Sequence, residues 1–74
     1  MAELIDAQGL KCPLPVLRAR KVLRAMAPGE ELTVLATDEA APADFRAFCE
    51  QAGHALLSIS EADGVHTIVI QIKG

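Results

Sequence analysis

The sequence predicts an α+β fold: a βαβαββ two-layer sandwich, with two helices packed on one face of a four-stranded mixed sheet. Three observations predict it. Apolar residues recur at helical spacing over residues 16–26 and 45–52. Apolar and polar residues alternate through residues 31–37 and 65–73, the period of a half-buried strand. Ala62-Asp63-Gly64 lies between two strand-like runs and reads as a hairpin turn.

Each element follows in order. Residues 4–7 are short and apolar apart from Asp6, and residues 3–7 read as the first strand. Gly9 allows a tight turn, and a helix is predicted over residues 13–26. Pro13 and Pro15 fall in its first turn, where a missing N–H is no loss. Val16, Ala19, Leu23 and Met26, supplemented by Val22, form its apolar side; Arg18, Arg20, Lys21 and Arg24 are placed together on the opposite side. Pro28-Gly29 stops it. In the strand over residues 31–37, Leu32, Val34 and Ala36 face one way and Thr33, Leu35 and Thr37 the other. A helix separates the first two strands, which are therefore expected to be parallel, joined by a right-handed crossover. Asp38 or Thr37 is placed to cap a second helix over residues 40–52, with Pro42 in its first turn and Gly53 at its left-handed exit. Strands over residues 54–61 and 65–73 complete the sheet. Ile68, Ile70 and Ile72 point to the helices; the far face, with Thr33, Ser58, Ser60 and Gln71, is expected to be largely open to water.

Composition narrows the function. With 74 residues the chain reads as one domain, residues 1–74, and 51% hydrophobic against 23% charged residues suits a folded protein. Phe45 and Phe48 are the only aromatics, so the core must be aliphatic. A formal charge of -3 argues against general nucleic-acid binding, which needs surplus Lys and Arg. The first residues lack the pattern of a signal peptide and no apolar run suffices to span a bilayer, so the expected location is the cytoplasm, without membrane attachment. Cys12 and Cys49 make no disulfide framework, and His54 and His66 lie too far apart in sequence to suggest a metal site. Nothing calls for a metal or another cofactor.

The stretch Gly9-Leu10-Lys11-Cys12-Pro13-Leu14-Pro15 concentrates the chemistry. It places a thiol at the start of a helix, where the dipole and the neighbouring Lys11 are expected to favour the nucleophilic thiolate. Cys12 has two readings, a packing thiol or a surface nucleophile; strand-to-helix loops concentrate function, which favours the second. Cys49, on the apolar stripe with Phe45 and Phe48, reads as core. His54 reads as structural at a helix end, His66 as a surface residue without a partner, and Asp6 as a turn residue. The basic side of the first helix is either a solvated face or a docking face beginning near Cys12. No general base, Gly-rich phosphate loop or paired carboxylates are evident near Cys12, so a carrier suits the sequence better than a full catalyst.

Taken together, Leu4-Ile5-Asp6-Ala7-Gln8-Gly9-Leu10-Lys11-Cys12-Pro13-Leu14-Pro15 resembles the signature of the TusA (SirA-like) sulfur carrier proteins. The likeness extends through Pro28-Gly29-Glu30, Ala36-Thr37-Asp38, Asp44, Phe48-Cys49 and Gly53-His54-Ala55-Leu56-Leu57. The resemblance implies a βαβαββ sandwich and a sulfurtransferase-type carrier whose Cys12 holds a persulfide. Gly9, Lys11, Pro13 and Pro15 would shape the thiol loop. It implies a donor protein, such as a cysteine desulfurase or a rhodanese-like protein, and an acceptor protein, serving transfer-RNA thiolation, molybdenum cofactor supply or sulfur oxidation. One departure is Arg46, where many relatives carry a proline. The alternatives are a non-catalytic module docking through Arg18, Arg20, Lys21 and Arg24, or a redox pair of Cys12 and Cys49. A monomer is expected.

Overall fold

Leu32, Val34 and Ala36 turn their side chains to one face of a strand, and that face is the floor of the core. The computed structural model describes residues 2–73. Its elements are β1 (Ala2–Ala7), α1 (Leu14–Leu23), β2 (Glu31–Ala36), α2 (Ala41–Ala52), β3 (Ala55–Ala62) and β4 (Val65–Gln71). The sheet order is β1-β2-β4-β3, with β1 and β2 parallel and the other two pairings antiparallel. This is the predicted mixed four-stranded sheet with two helices. Ala7 of β1, Ile68 and Ile70 of β4, and Ile72 beyond it join the β2 residues under Ala19 and Leu23 of α1 and Phe45 and Cys49 of α2. Burying this aliphatic layer supplies the main driving force for folding.

The first helix is shorter than its periodicity suggested. It starts at Leu14, with Pro13 as the residue before it, and ends at Leu23 instead of continuing to Met26. Beyond Leu23 the amides of Ala25 and Met26 reach back three residues, to Val22 O at 3.0 Å and Leu23 O at 3.2 Å. Such tighter bonds close a helix end. Pro15 is fully buried, so it is a core side chain as well as a tolerated first-turn proline.

The second helix exits as expected. Gly53 adopts φ 79°, and the amides of Gly53 and His54 both donate to Cys49 O, at 2.9 and 3.0 Å. That commitment delays β3 to Ala55. A register shift between Leu56 and Ser58 interrupts its pairing with β4, and Leu57 there is 47% exposed. The hairpin closes on the pair Ala62–Val65 through Asp63 (φ 52°) and Gly64 (φ 79°). Two positive φ angles define the type I′ turn that matches strand twist. On the far face Ser58 and Ser60 are exposed, while Thr33 and Gln71 are half-buried. Among the described residues no helix is long and apolar enough to cross a membrane.

Candidate functional site

The parallel pairing of β1 and β2 decides the site. Their register runs from Ala2–Glu31 to Ala7–Ala36, so both strands end at the same edge of the sheet. The loop carrying Cys12 and the loop carrying Thr37 and Asp38 therefore leave side by side. Gly9, at φ 81°, makes the sharp turn that brings its amide to Thr37 Oγ1 at 2.9 Å. Asp6 Oδ1 accepts from the Gln8 amide at 3.1 Å, the turn role its position suggested. Cys12 donates its amide to Asp38 Oδ2 at 2.8 Å, while Asp38 Oδ1 accepts from the Ala40 amide at 2.9 Å. Neither Thr37 nor Asp38 is thus the side-chain cap anticipated for α2: its N-cap is Ala40, and Asp38 bridges the two loops instead.

These bonds have an electrostatic signature. The Ala40 and Cys12 amides, followed by the charges of Lys11 and His66, hold the Asp38 carboxyl below its usual value against some desolvation. His66, expected to lack a partner, is half-buried and within electrostatic reach of Asp38. Replacing Asp38 with Ala should unclamp the loops. The Cys12 and Ala40 amides should then exchange with deuterium roughly tenfold faster or more, while core β4 amides change far less. Exchange kinetics resolved by residue test this.

The thiol contradicts the sequence expectation. Burial, then a hydrogen bond and the charge of Asp44, then the charge of Asp38, push Cys12 up to about 12. The helix start cannot offset this, because Pro13 and Pro15 have no N–H. The Leu14 amide is taken by Lys11 O at 2.9 Å, and that of Cys12 by Asp38. Lys11 faces Asp38 as well. The environment stabilises the protonated thiol. Paired carboxylates do lie near Cys12, contrary to the sequence reading. They were missed because Asp38 is 26 positions away in the chain, and Asp44 further still. The predicted parallel pairing of the first two strands was the signal that could have brought the Asp38 loop beside Cys12.

Gly9, Leu10, Lys11, Thr37, Asp38 and Glu39 line an open cleft of about 430 Å³ between the loops. Cys12 is half-buried, whereas Cys49 is 3% exposed in the core, and both are free thiols. Burial pushes Cys49 up. The position of Cys49 favours packing over a redox partnership.

Arg18, Arg20 and Lys21 of α1 and Arg24, which caps its end, are exposed but do not form one face. Arg18 and Lys21 flank Leu4, Ile5, Asp6 and Val22, with Arg18 Nη1 donating to Asp6 O at 3.3 Å. Arg20 and Arg24 lie on the other side, by Phe48, Ala52 and His54. At 3.6 residues per turn, positions two apart diverge by about 200°. Sequence reasoning also missed Leu14 and Leu17, which are 48% and 50% exposed on the same helix. Arg46 is exposed within an unbroken α2, which accommodates the missing proline.

A family model described as Sulfurtransferase TusA matches residues 3–72. The chain belongs to the TusA family. It is 61% identical over 72 residues to a candidate sulfur carrier protein of Neisseria meningitidis serogroup B, covering 97% of each chain. It is 46% identical over 67 residues to the sulfur carrier protein TusA of Allochromatium vinosum, covering 90% of this chain and 88% of that one. The crystal structure of a SirA-like protein from Desulfitobacterium hafniense aligns with TM-score 0.86 at 31% identity, covering 97% of this chain and 99% of that one. TusA membership thus joins a shared fold to the thiol loop described above.

Proposed function

We propose that this TusA-family protein relays sulfane sulfur through Cys12. The observation that carries the reading is the placement of Cys12 at the paired strand ends, beside an open cleft, while the other cysteine is sealed in the core. A donor persulfide meets Cys12, whose Sγ bonds to the outer sulfur as the donor's own S–S bond breaks. The donor leaves as a thiolate and Cys12 holds the persulfide. An acceptor thiol then repeats the exchange and frees Cys12. A cysteine desulfurase or a rhodanese-like protein suits the donor role. A thiol on a protein of transfer-RNA thiolation, molybdenum cofactor supply or sulfur oxidation suits the acceptor role.

Intact-protein mass spectrometry after incubation with a cysteine desulfurase and cysteine tests this. Wild type should gain one sulfur that a reductant removes, and Cys12→Ser should gain none. Equal sulfur transfer to an acceptor by Cys12→Ser would refute the relay. Inorganic polysulfide serves as the control donor, since it bypasses protein docking.

Docking of the donor is assigned to the exposed side of α1, where Leu14 and Leu17 stand with Arg18 and Lys21. Their spacing of three, four and seven residues forms one helical stripe leading from the thiol loop. Apolar contact supplies affinity, and the cations steer an acidic partner surface. Reversing Arg18 and Lys21 to Glu should slow loading by the desulfurase roughly tenfold at low salt and leave polysulfide loading unchanged. Equal slowing with both donors would instead mean a damaged thiol loop. The Arg20 and Arg24 side is assigned a smaller share, which the same reversal there would measure.

A further inference from the structure

We infer that Thr37 and Asp38 are positioning residues for sulfur transfer, fixing the direction from which Cys12 meets a persulfide carried by another protein. This rests on the relay proposed above and deepens it.

Within the thiol loop, Leu10 donates its amide to Ala7 O at 3.3 Å and Leu14 donates to Lys11 O at 2.9 Å. Both bonds are local, so neither ties the loop to the neighbouring strand exit. Thr37 and Asp38 do that. Thr37 Oγ1 accepts from the Gly9 amide at 2.9 Å, and Asp38 Oδ2 accepts from the Cys12 amide at 2.8 Å. These braces grip opposite ends of the segment Gly9-Leu10-Lys11-Cys12. Two anchors fix a direction where one would leave a hinge.

The braces themselves have a firm origin. Thr37 and Asp38 directly follow Ala36, the last residue of β2, which is fully buried and paired with both Ala7 and His66. Asp38 is also held from its far side. Its Oδ1 accepts from the Ala40 amide at 2.9 Å, and its carbonyl accepts from Ala41, a fully buried residue, at 3.1 Å. One side chain thus fixes the Cys12 backbone relative to the sheet and to the start of α2.

Sulfur transfer needs that direction. The Cys12 thiolate, its proton released to water, attacks the outer sulfur of R–S–SH; Cys12–S–SH forms as R–S⁻ leaves with the electron pair. The attacking sulfur approaches along the bond it breaks. A small polysulfide tumbles until its own bond points at Sγ. A persulfide fixed on a docked protein does not, so the carrier thiol must arrive aimed. A misplacement of about 1 Å can slow such a step roughly a hundredfold. The charge of Asp38 acts in the opposite sense, because it raises the Cys12 thiol. Removing Asp38 therefore eases thiolate formation while it frees the loop, and the choice of donor separates the two effects.

The experiment follows single-turnover sulfur uptake by mass from a persulfide-charged cysteine desulfurase and from inorganic polysulfide. A rhodanese charged with thiosulfate replaces the desulfurase if the latter does not load wild type. Varying the carrier concentration gives a limiting rate and a half-saturating concentration for the protein donor. Thr37→Val removes the hydroxyl acceptor and keeps the branched shape, Thr37→Ser keeps the hydroxyl, and Asp38→Ala removes brace and charge together. With the protein donor, the limiting rates of Thr37→Val and Asp38→Ala should fall roughly tenfold or more, at half-saturating concentrations within about twofold of wild type. Thr37→Ser should recover most of the loss. With polysulfide, Thr37→Val should change by about twofold at most, and Asp38→Ala should load faster than wild type. Opposite signs with the two donors mark positioning, since a lost charge alone speeds both and a damaged thiol slows both.

Slowing by the same factor with both donors would overturn the inference, as would a raised half-saturating concentration at an unchanged limiting rate. Protein-donor rates unchanged or raised in Thr37→Val and Asp38→Ala would overturn it outright. Thr37→Ser as slow as Thr37→Val would overturn the role of the Thr37 hydroxyl. If Asp38→Ala does not fold, Thr37→Val, which loses one exposed hydrogen bond, decides alone. Wild type that takes sulfur from neither protein donor would defeat the relay itself, an outcome distinct from all of these.

Discussion

At pH 8, Cys12 of the folded protein should react with iodoacetamide roughly a hundredfold more slowly than the same cysteine in urea. Only the thiolate is an effective nucleophile, and the fold moves this thiol from 9.0 to about 12 through burial, Asp44 and Asp38. The unfolded chain loses all three influences. Peptide mapping after timed alkylation separates Cys12 from Cys49, whose burial would otherwise confuse the count. Equal rates in the two states would mean that Cys12 stands in water, away from both carboxylates. The same shift links stability to pH. The folded-state value is the higher one, so between about pH 9 and 12 the folded protein retains a proton that the unfolded chain has released. This contribution is present in full below the unfolded value and is lost as pH rises through the folded one. Urea melts at pH 8 and pH 10 should show the decline, and Cys12→Ser should remove this part of it. A thiol guarded in this way should resist stray electrophiles and oxidants.

The layers of the fold were legible because local patterns and long-range packing agree. Leu32, Val34 and Ala36 alternate in sequence and are buried in the structure, and Asp63-Gly64 supplies the positive φ angles its hairpin needs. Helix ends were less legible. Met26 fits the helical period, but the last turn tightens after Leu23, an outcome decided by chain exit instead of side-chain spacing. At the site, Cys12 was legible from its neighbours while its chemical state was not. A helix start suggested a thiolate, yet prolines remove the donors and distant carboxylates set the balance. The cationic helix failed similarly, because a count of charges carries no direction until rotation splits Arg18 and Lys21 from Arg20 and Arg24.

Phe45→Ala should cost about 3–5 kcal/mol of folding stability. Phe45 heads the fully buried side chains by size, ahead of Leu32, Ile68, Ile70 and Val34. Removing its ring withdraws apolar contact and leaves a cavity that short aliphatic neighbours cannot refill without moving a helix. At roughly 0.05–0.15 kcal/mol per residue, a domain of 74 residues has about 4–11 kcal/mol in total. The substitution therefore consumes much or all of the margin. Phe48 cannot substitute, because it is only half-buried and its ring lies 6.0 Å from that of His54. Phe45→Leu keeps most of the volume and should cost distinctly less. Urea melts of the three proteins provide the measurement; a loss below about 1 kcal/mol for Phe45→Ala would show that α2 is anchored elsewhere. The consequence reaches the thiol, since Asp44 precedes Phe45 on the same turn. Loosening α2 should free Cys12 from its carboxylate and speed alkylation beyond what the unfolded fraction explains, whereas Phe45→Leu should leave Cys12 as slow as wild type.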